Sequence, residues 1–248
     1  MPGPCTLISG IESSLTPPTL AHERCHPAQV AGARHRQHFP KMYLPKHFEN
    51  PDAALALEVM RAHSFALLVS SDDAGAPFAT HLPVIVSQRA SAAAASVVIE
   101  GHVAKPNPHW RYMQARPEVM LVFQGPHAYM SPRVYPDLAR VPTWNYLAVH
   151  AYGKVAFLEG EARKDALLKG LIALHEPEYA AQWRGLDAGF QSKMLSGIVA
   201  FEITVERIEA KFKLNQHRKE AHAAMKSLYA AGTPDEQALA VWMTRLGL

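Results

Sequence analysis

The stretch Trp144 to Leu158, WNYLAVHAYGKVAFL, constrains the fold more than any other part of the chain. It is rich in aromatic and β-branched residues and contains no proline, so it reads as one uninterrupted strand. Fifteen residues at about 3.3 Å each give a contour of about 50 Å. A sheet that curls into a barrel accommodates such a strand, because a tilted strand bends around the wall and changes partners along its length.

The surrounding segments fit that reading. Phe65 to Ser70 reads as a strand, DDAGAP at 72–77 as a turn, and Phe78 to Val86 as the hairpin partner. An alanine-rich loop at 90–95 leads into a third strand, Ser96 to Ala104, and Val119 to Phe123 forms a fourth. Tyr129 to Tyr135 reads as irregular. The last strand, Gly197 to Ile208, keeps imperfect phase at Ile198, Ala200, Ile203 and Val205. A helix is expected at Asn50 to Ala62, with Asn50 cap-like and Leu55, Val59 and Ala62 on one face. Further helices are expected at Asn107 to Gln114, 161–174, 177–195, 218–230 and 235–246. Strands joined by short helices, with little strict strand–helix–strand alternation, favour an antiparallel barrel with peripheral helices, mainly β in the α+β class.

With 248 residues and 48% hydrophobic content, the chain can fill a core. A formal charge of +3 neither supports nor forbids a polyanionic partner. The two cysteines, Cys5 and Cys25, precede the folded part, which fits a reducing cytoplasm. No run approaches a membrane span of about 20 residues, and residues 1–20 lack a secretory pattern, so a soluble, unprocessed protein without membrane contact is expected. Residues 1–41 are expected to be a disordered extension, with Met42 as an alternative start. Cys25, His26, His35 and His38 match no zinc spacing, so no metal is expected.

Four segments are too polar and irregular to be explained by packing alone: FATHLP at 78–83, GHVAKPNP at 101–108, VPTWNY at 141–146 and KFKLNQHR at 211–218. The second ends a strand with a cation and an amide just before a helix, an arrangement suited to a phosphate, although a plain turn capped by Asn107 would look the same. In the third, alternation sends Trp144 and Tyr146 to one face and Asn145 to the other. An indole can wall a flat cofactor or simply fill the barrel core. In the fourth, Lys211, Lys213 and Arg218 surround Gln216; such a run is also what a solvated face looks like.

Together with MYLPKHF at 42–48 and VFQGPHAYMSP at 122–132, these segments resemble, in order, the PaiB-type family of FMN-binding negative transcriptional regulators. The resemblance spans about residues 42–230. It implies an FMN-binding split β-barrel related to pyridoxamine-phosphate oxidases, forming a homodimer with FMN at the interface. It further implies that Thr80, His81 and Leu82 line the isoalloxazine. His102, Val103, Ala104, Lys105 and Asn107 would continue toward the phosphate, with Lys105 as counter-charge. Trp144, Asn145, Lys211, Lys213 and Gln216 would close the cleft, from the same or the partner subunit. Lys105 stands where arginine is commoner, and Asn215 and His217 depart from the usual KLSQNR. The expected organisation is thus a barrel domain over 42–216 and a helical tail over 217–248 packed on the barrel or the dimer partner.

Two functions compete on this basis. One is a regulator with DNA or a regulatory protein as partner. The other is an FMN-dependent oxidoreductase of the reductase or oxidase type, for which His81 or His102 would be candidate proton donors; no catalytic residue is assigned. A helix-turn-helix reading of the tail is disfavoured, because Asp235 and Glu236 open its second helix.

Overall fold

A computed structural model describes residues 40–90, 95–137 and 139–248. Residues 1–39, including Cys25, His26, His35 and His38, lie outside them. In chain order the elements are α1 (Ala53–Ala62), β1 (Phe65–Ser71), β2 (Pro77–Arg89), β3 (Ser96–Ala104), α2 (His109–Ala115), β4 (Glu118–Met130), β5 (Thr143–Phe157), α3 (Glu161–His175), α4 (Tyr179–Gly185), α5 (Ala188–Ser196), β6 (Ile198–Lys213), α6 (His222–Ala230) and α7 (Pro234–Arg245).

The six strands close into a barrel in the order β1-β2-β3-β6-β5-β4, and every neighbouring pair is antiparallel. Closure is made by Leu67, Leu68 and Val69 of β1 against Val122, Leu121 and Met120 of β4. The final strand lies between β3 and β5. Its first part, Ile198 to Thr204, pairs with β3, while Phe201 onward pairs with β5 as far as Lys213. This change of partner is what a strand bent around a closed wall must do.

β2 runs three residues beyond the expected Val86, to Arg89, and β4 and β6 run further still. β4 continues to Met130, through the segment expected to be irregular, because a register shift between Gln124 and His127 carries Gly125 and Pro126 past the ladder. A proline, with no N–H to donate, is tolerated at such a bulge. In β6 the partners jump from Arg207 to Val205 opposite Tyr152 and Gly153, leaving Glu206 as an extra residue. One extra residue reverses which parity faces inward. Phe201 and Ile203 accordingly face the core before the bulge, and Ala210 and Phe212 after it. The imperfect phase at Ile198, Ala200, Ile203 and Val205 lies before the bulge, where Ala200 faces outward and Ile203 inward. Opposite the bulge, a Cβ on Gly153 would lie 2.2 Å from the Thr204 carbonyl oxygen, so the close approach requires glycine there.

The barrel interior is filled by Leu68, Ile99, Leu121, Phe123, Leu147, Ile203 and Phe212, all fully buried. α1 is capped by Asp52, whose carboxylate accepts from Ala54 N and Leu55 N, and not by Asn50. α7 contributes Leu239, Trp242 and Met243 to the same core, with the Trp242 ring edge-on to Phe212 at 5.4 Å. α3 lays Leu167 and Leu171 over Ala200 and Leu158, which explains why the outward-facing Ala200 is buried. On β1 and β4, by contrast, the outer row Leu67, Val69, Met120 and Val122 stays half-buried, and Phe65 beside it is 67% exposed. No helix among the described residues is long and apolar enough to cross a membrane.

Candidate cofactor site

The residues expected to bind a cofactor fall into two groups, set apart by the topology. The first surrounds the end of β3. On β2 the alternation sends Leu82 into the core, leaves His81 exposed with its ring stacked against Phe65 at 5.9 Å, and puts Thr80 at the barrel mouth. On β3, Val103 is buried in the core, whereas His102 is half-buried with an enclosed Nδ1 that has no partner among the described residues, and Ala104 is exposed. Burial lowers the His102 pKa. Leu82 and Val103 therefore offer a ligand only their backbones.

Beyond Ala104 the chain is pinned from several sides. Lys105 N donates to the Gly197 carbonyl at 2.8 Å, Asn107 N donates to the Ala104 carbonyl at 2.9 Å, and the Trp110 indole donates to the Lys105 carbonyl at 3.0 Å. The Lys105 side chain itself is exposed and has no partner among the described residues. Its backbone is fixed and its ammonium is free.

Asn107 donates its amide to the Thr80 hydroxyl at 3.2 Å and accepts from His109 N at 3.0 Å. His109 is fully buried, with Nδ1 2.8 Å from Thr80 Oγ1 and Nε2 2.9 Å from Ser70 Oγ. Phe78 packs edge-on against the imidazole at 5.0 Å. Burial pushes the His109 pKa down to about 4, so the ring is neutral at ordinary pH. α2 has only seven residues, and Asn107 already satisfies its first amide. Any phosphate affinity here thus rests on the side chains of Lys105, Asn107 and Thr80, not on a helix terminus. An exposed lysine two residues from an amide that is itself bonded to a hydroxyl supplies the kinds of group that suit a phosphate monoester.

The second group lies where β5 begins and β6 ends, with Tyr146 opposite Lys213 and Ala148 opposite Lys211. Lys211 is buried and donates to the Tyr43 carbonyl at 2.9 Å. Lys213 donates to Thr143 Oγ1 and, at 2.7 Å, to the Trp144 carbonyl; burial and the nearby Lys211 charge lower its pKa. Trp144 is 48% exposed, with its indole N–H 3.2 Å from His127 Nδ1. Asn145 is fully enclosed, facing away from the Trp144 surface, and Tyr229 of α6 is buried beside it. Gln216 bonds Leu214 N and the Phe212 carbonyl, so its side chain shapes the turn after β6.

The two groups do not meet within one chain through any hydrogen bond among the described residues. Ala104 pairs with Ile198 at the start of β6, and Lys211 stands thirteen residues further along that strand, a contour of about 43 Å. Sequence reasoning missed Ser70 and His109, which organise the first group. His109 directly follows the KPNP motif, but a single histidine carries no sign of burial. Among the described residues no cluster of His, Cys, Asp and Glu could hold a metal ion.

The model of a family described as "Putative FMN-binding domain" matches residues 42–207, which includes the first group and stops short of Lys211, Lys213 and Gln216. The chain is 39% identical over 184 residues to the protease synthase and sporulation protein PAI 2 of Bacillus subtilis, a match covering 72% of this chain and 84% of that one. Among solved structures it is similar to a flavocytochrome of Azotobacter vinelandii, with TM-score 0.53 and 14% identity over 67% of this chain and 69% of that one. It is also similar to an FAD- and heme-binding protein of Mycobacterium smegmatis, with TM-score 0.53 and 13% identity over 66% and 73% of the two chains. At these identities the two structures share the fold with this chain.

Proposed function

Because the chain belongs to the FMN-binding domain family and FMN is its cofactor, we propose that two copies build the FMN site between them and that FMN occupancy serves a regulatory output. The observation that carries this reading is the turn after β3: Lys105 is exposed on a backbone pinned by Gly197 and Trp110, and two residues on, the Asn107 amide donates to the Thr80 hydroxyl. Lys105, Asn107 and Thr80 would hold the phosphate, and the β2 backbone near His81 would hold the isoalloxazine; FMN, when bound, would supply reversible electron transfer.

The two-copy arrangement is supported by two features. The outer row Leu67, Val69, Met120 and Val122, with exposed Phe65, is apolar surface of the kind that a second subunit covers. The separation of Lys105 from Trp144, Lys211 and Lys213 is bridged if the latter group comes from the partner. The regulatory output is supported by similarity to the Bacillus subtilis sporulation protein. A DNA-reading role for the tail is not: α6 and α7 bury Met225, Tyr229, Leu239, Trp242 and Met243 in the barrel core, and α7 opens with Asp235 and Glu236. A regulatory protein is the better-supported partner.

The test is flavin content and affinity. Purified protein is expected to take up FMN and to release it on denaturation; a protein that takes up none refutes the reading. Lys105→Ala is expected to weaken FMN binding by about 1–3 kcal/mol through loss of a charge-assisted contact, and an unchanged dissociation constant would remove Lys105 from the phosphate site. Bleaching of bound flavin by NAD(P)H at catalytic rates would favour the oxidoreductase alternative.

A further inference from the structure

Three buried or half-buried groups stand in line at the barrel mouth: Ser70 Oγ, the His109 imidazole and Thr80 Oγ1, joined by contacts of 2.9 and 2.8 Å. A neutral imidazole donates from one nitrogen and accepts at the other, and a hydroxyl donates one proton. Only two arrangements are open. If the ring proton is on Nε2, it points at Ser70, and the Thr80 hydroxyl donates to Nδ1. The Ser70 proton is then left without an acceptor among the described residues, on a side chain that is 2% exposed. If the ring proton is on Nδ1, it points at Thr80, and Ser70 donates to Nε2. Every buried donor is then satisfied, because Thr80 accepts from both His109 and Asn107. The one proton left over is that of Thr80, which is half-buried and bonded to Asn107 in the turn before α2.

An unsatisfied buried donor is costly, whereas a hydroxyl proton at a polar, accessible position finds water or a ligand. The second arrangement therefore prevails. We propose that Ser70 and His109 are positioning residues that turn Thr80 into a fixed outward hydrogen-bond donor for the anionic phosphate of FMN. This inference rests on the FMN reading above and specifies what recognises the phosphate. Thr80 touches the ligand; Ser70 and His109 act through it. With both acceptor positions of Thr80 occupied by His109 and Asn107, its one proton is left to donate to the anion.

The test reads the tautomer directly. In protein labelled with nitrogen-15 at histidine and loaded with FMN, two-bond proton–nitrogen correlations are expected to place the His109 proton on Nδ1 at pH 7, with no titration down to pH 5.5. A proton on Nε2 overturns the proposal. A second measurement compares FMN with riboflavin, which lacks the phosphate. Thr80→Val is expected to weaken FMN binding about tenfold or more with little effect on riboflavin, and Ser70→Ala, which frees the imidazole to change tautomer, is expected to shift the FMN-to-riboflavin ratio in the same direction. Equal loss for both ligands would reduce the relay to a structural role and overturn it. Unmodified protein that binds FMN while Ser70→Ala leaves the ratio unchanged refutes the relay alone. Unmodified protein that binds neither flavin refutes the FMN reading itself.

Discussion

Acid should destabilise this protein through His109 in a way one substitution can isolate. The imidazole is fully buried between two hydroxyls and against Phe78, and burial lowers its pKa from 6.5 to about 4. In the unfolded chain the same ring takes up a proton below about pH 6.5. Between these two values the unfolded state binds the extra proton, so stability is full above about pH 6.5 and is lost as pH falls toward 4. A gap of about 2.5 units at about 1.36 kcal/mol each amounts to about 3 kcal/mol in total, of which about 2.5 kcal/mol is lost by pH 4.5. That is a large share of a typical domain stability of about 5–15 kcal/mol. His109→Gln keeps an amide that can reach a hydroxyl but cannot be protonated. Urea unfolding of both proteins at pH 7.5 and 4.5 gives the comparison, in which the other histidines cancel. The wild type should lose about 2.5 kcal/mol more than the variant. Parallel losses would show that His109 titrates normally and that its enclosure has been misjudged.

Other expectations follow from the packing. Gly153→Ala would force a methyl group to within 2.2 Å of the Thr204 carbonyl oxygen; a loss of about 2 kcal/mol or more in denaturant unfolding is expected, and a neutral result would mean that the β5–β6 bulge can relax. Thr233→Ala removes the capping box in which Thr233 and Glu236 satisfy each other's amides at the start of α7; the expected cost is about 1 kcal/mol in the same assay. Val122→Glu places a charge in the apolar outer row between Leu67 and His150. Light scattering should then report a monomer with intact circular dichroism and reduced FMN uptake, whereas an unchanged assembly would move the interface elsewhere.

What could be seen in the sequence and what could not divide along physical lines. β1, β2, β3 and β5 were legible because their inward and outward positions alternate without interruption over most of their length. β4 and β6 were truncated in the reading where a bulge carries extra residues past the ladder: Gly125 and Pro126 look like a turn, and Glu206 flips the parity on which a strand is recognised. The stretch 177–195 is two helices, Tyr179–Gly185 and Ala188–Ser196, because Asp187 starts a new helix by accepting from Phe190 N. Both bulges conserve strand identity while changing register, and register is a property of the pair of strands and not of either one.

The same distinction governs the site. Motif residues at consecutive positions cannot all face a ligand when the motif is a strand, and the alternation assigns Thr80 to the mouth, His81 to the outside and Leu82 to the core. That Asn145 points away from Trp144 was likewise legible; that it is enclosed beside Tyr229 was not, because Tyr229 lies far along the chain. His109 is the sharpest case. Its neighbours in sequence are a proline and a tryptophan, whereas its partners come from β1, β2 and the turn before α2. The β1–β2 hairpin sets Ser70 and Thr80 near each other and α2, after β3, delivers the imidazole to both, so its role exists only once these elements have packed together. A binding motif can therefore be recognised locally, while the groups that set the polarity of its donors are fixed by the fold.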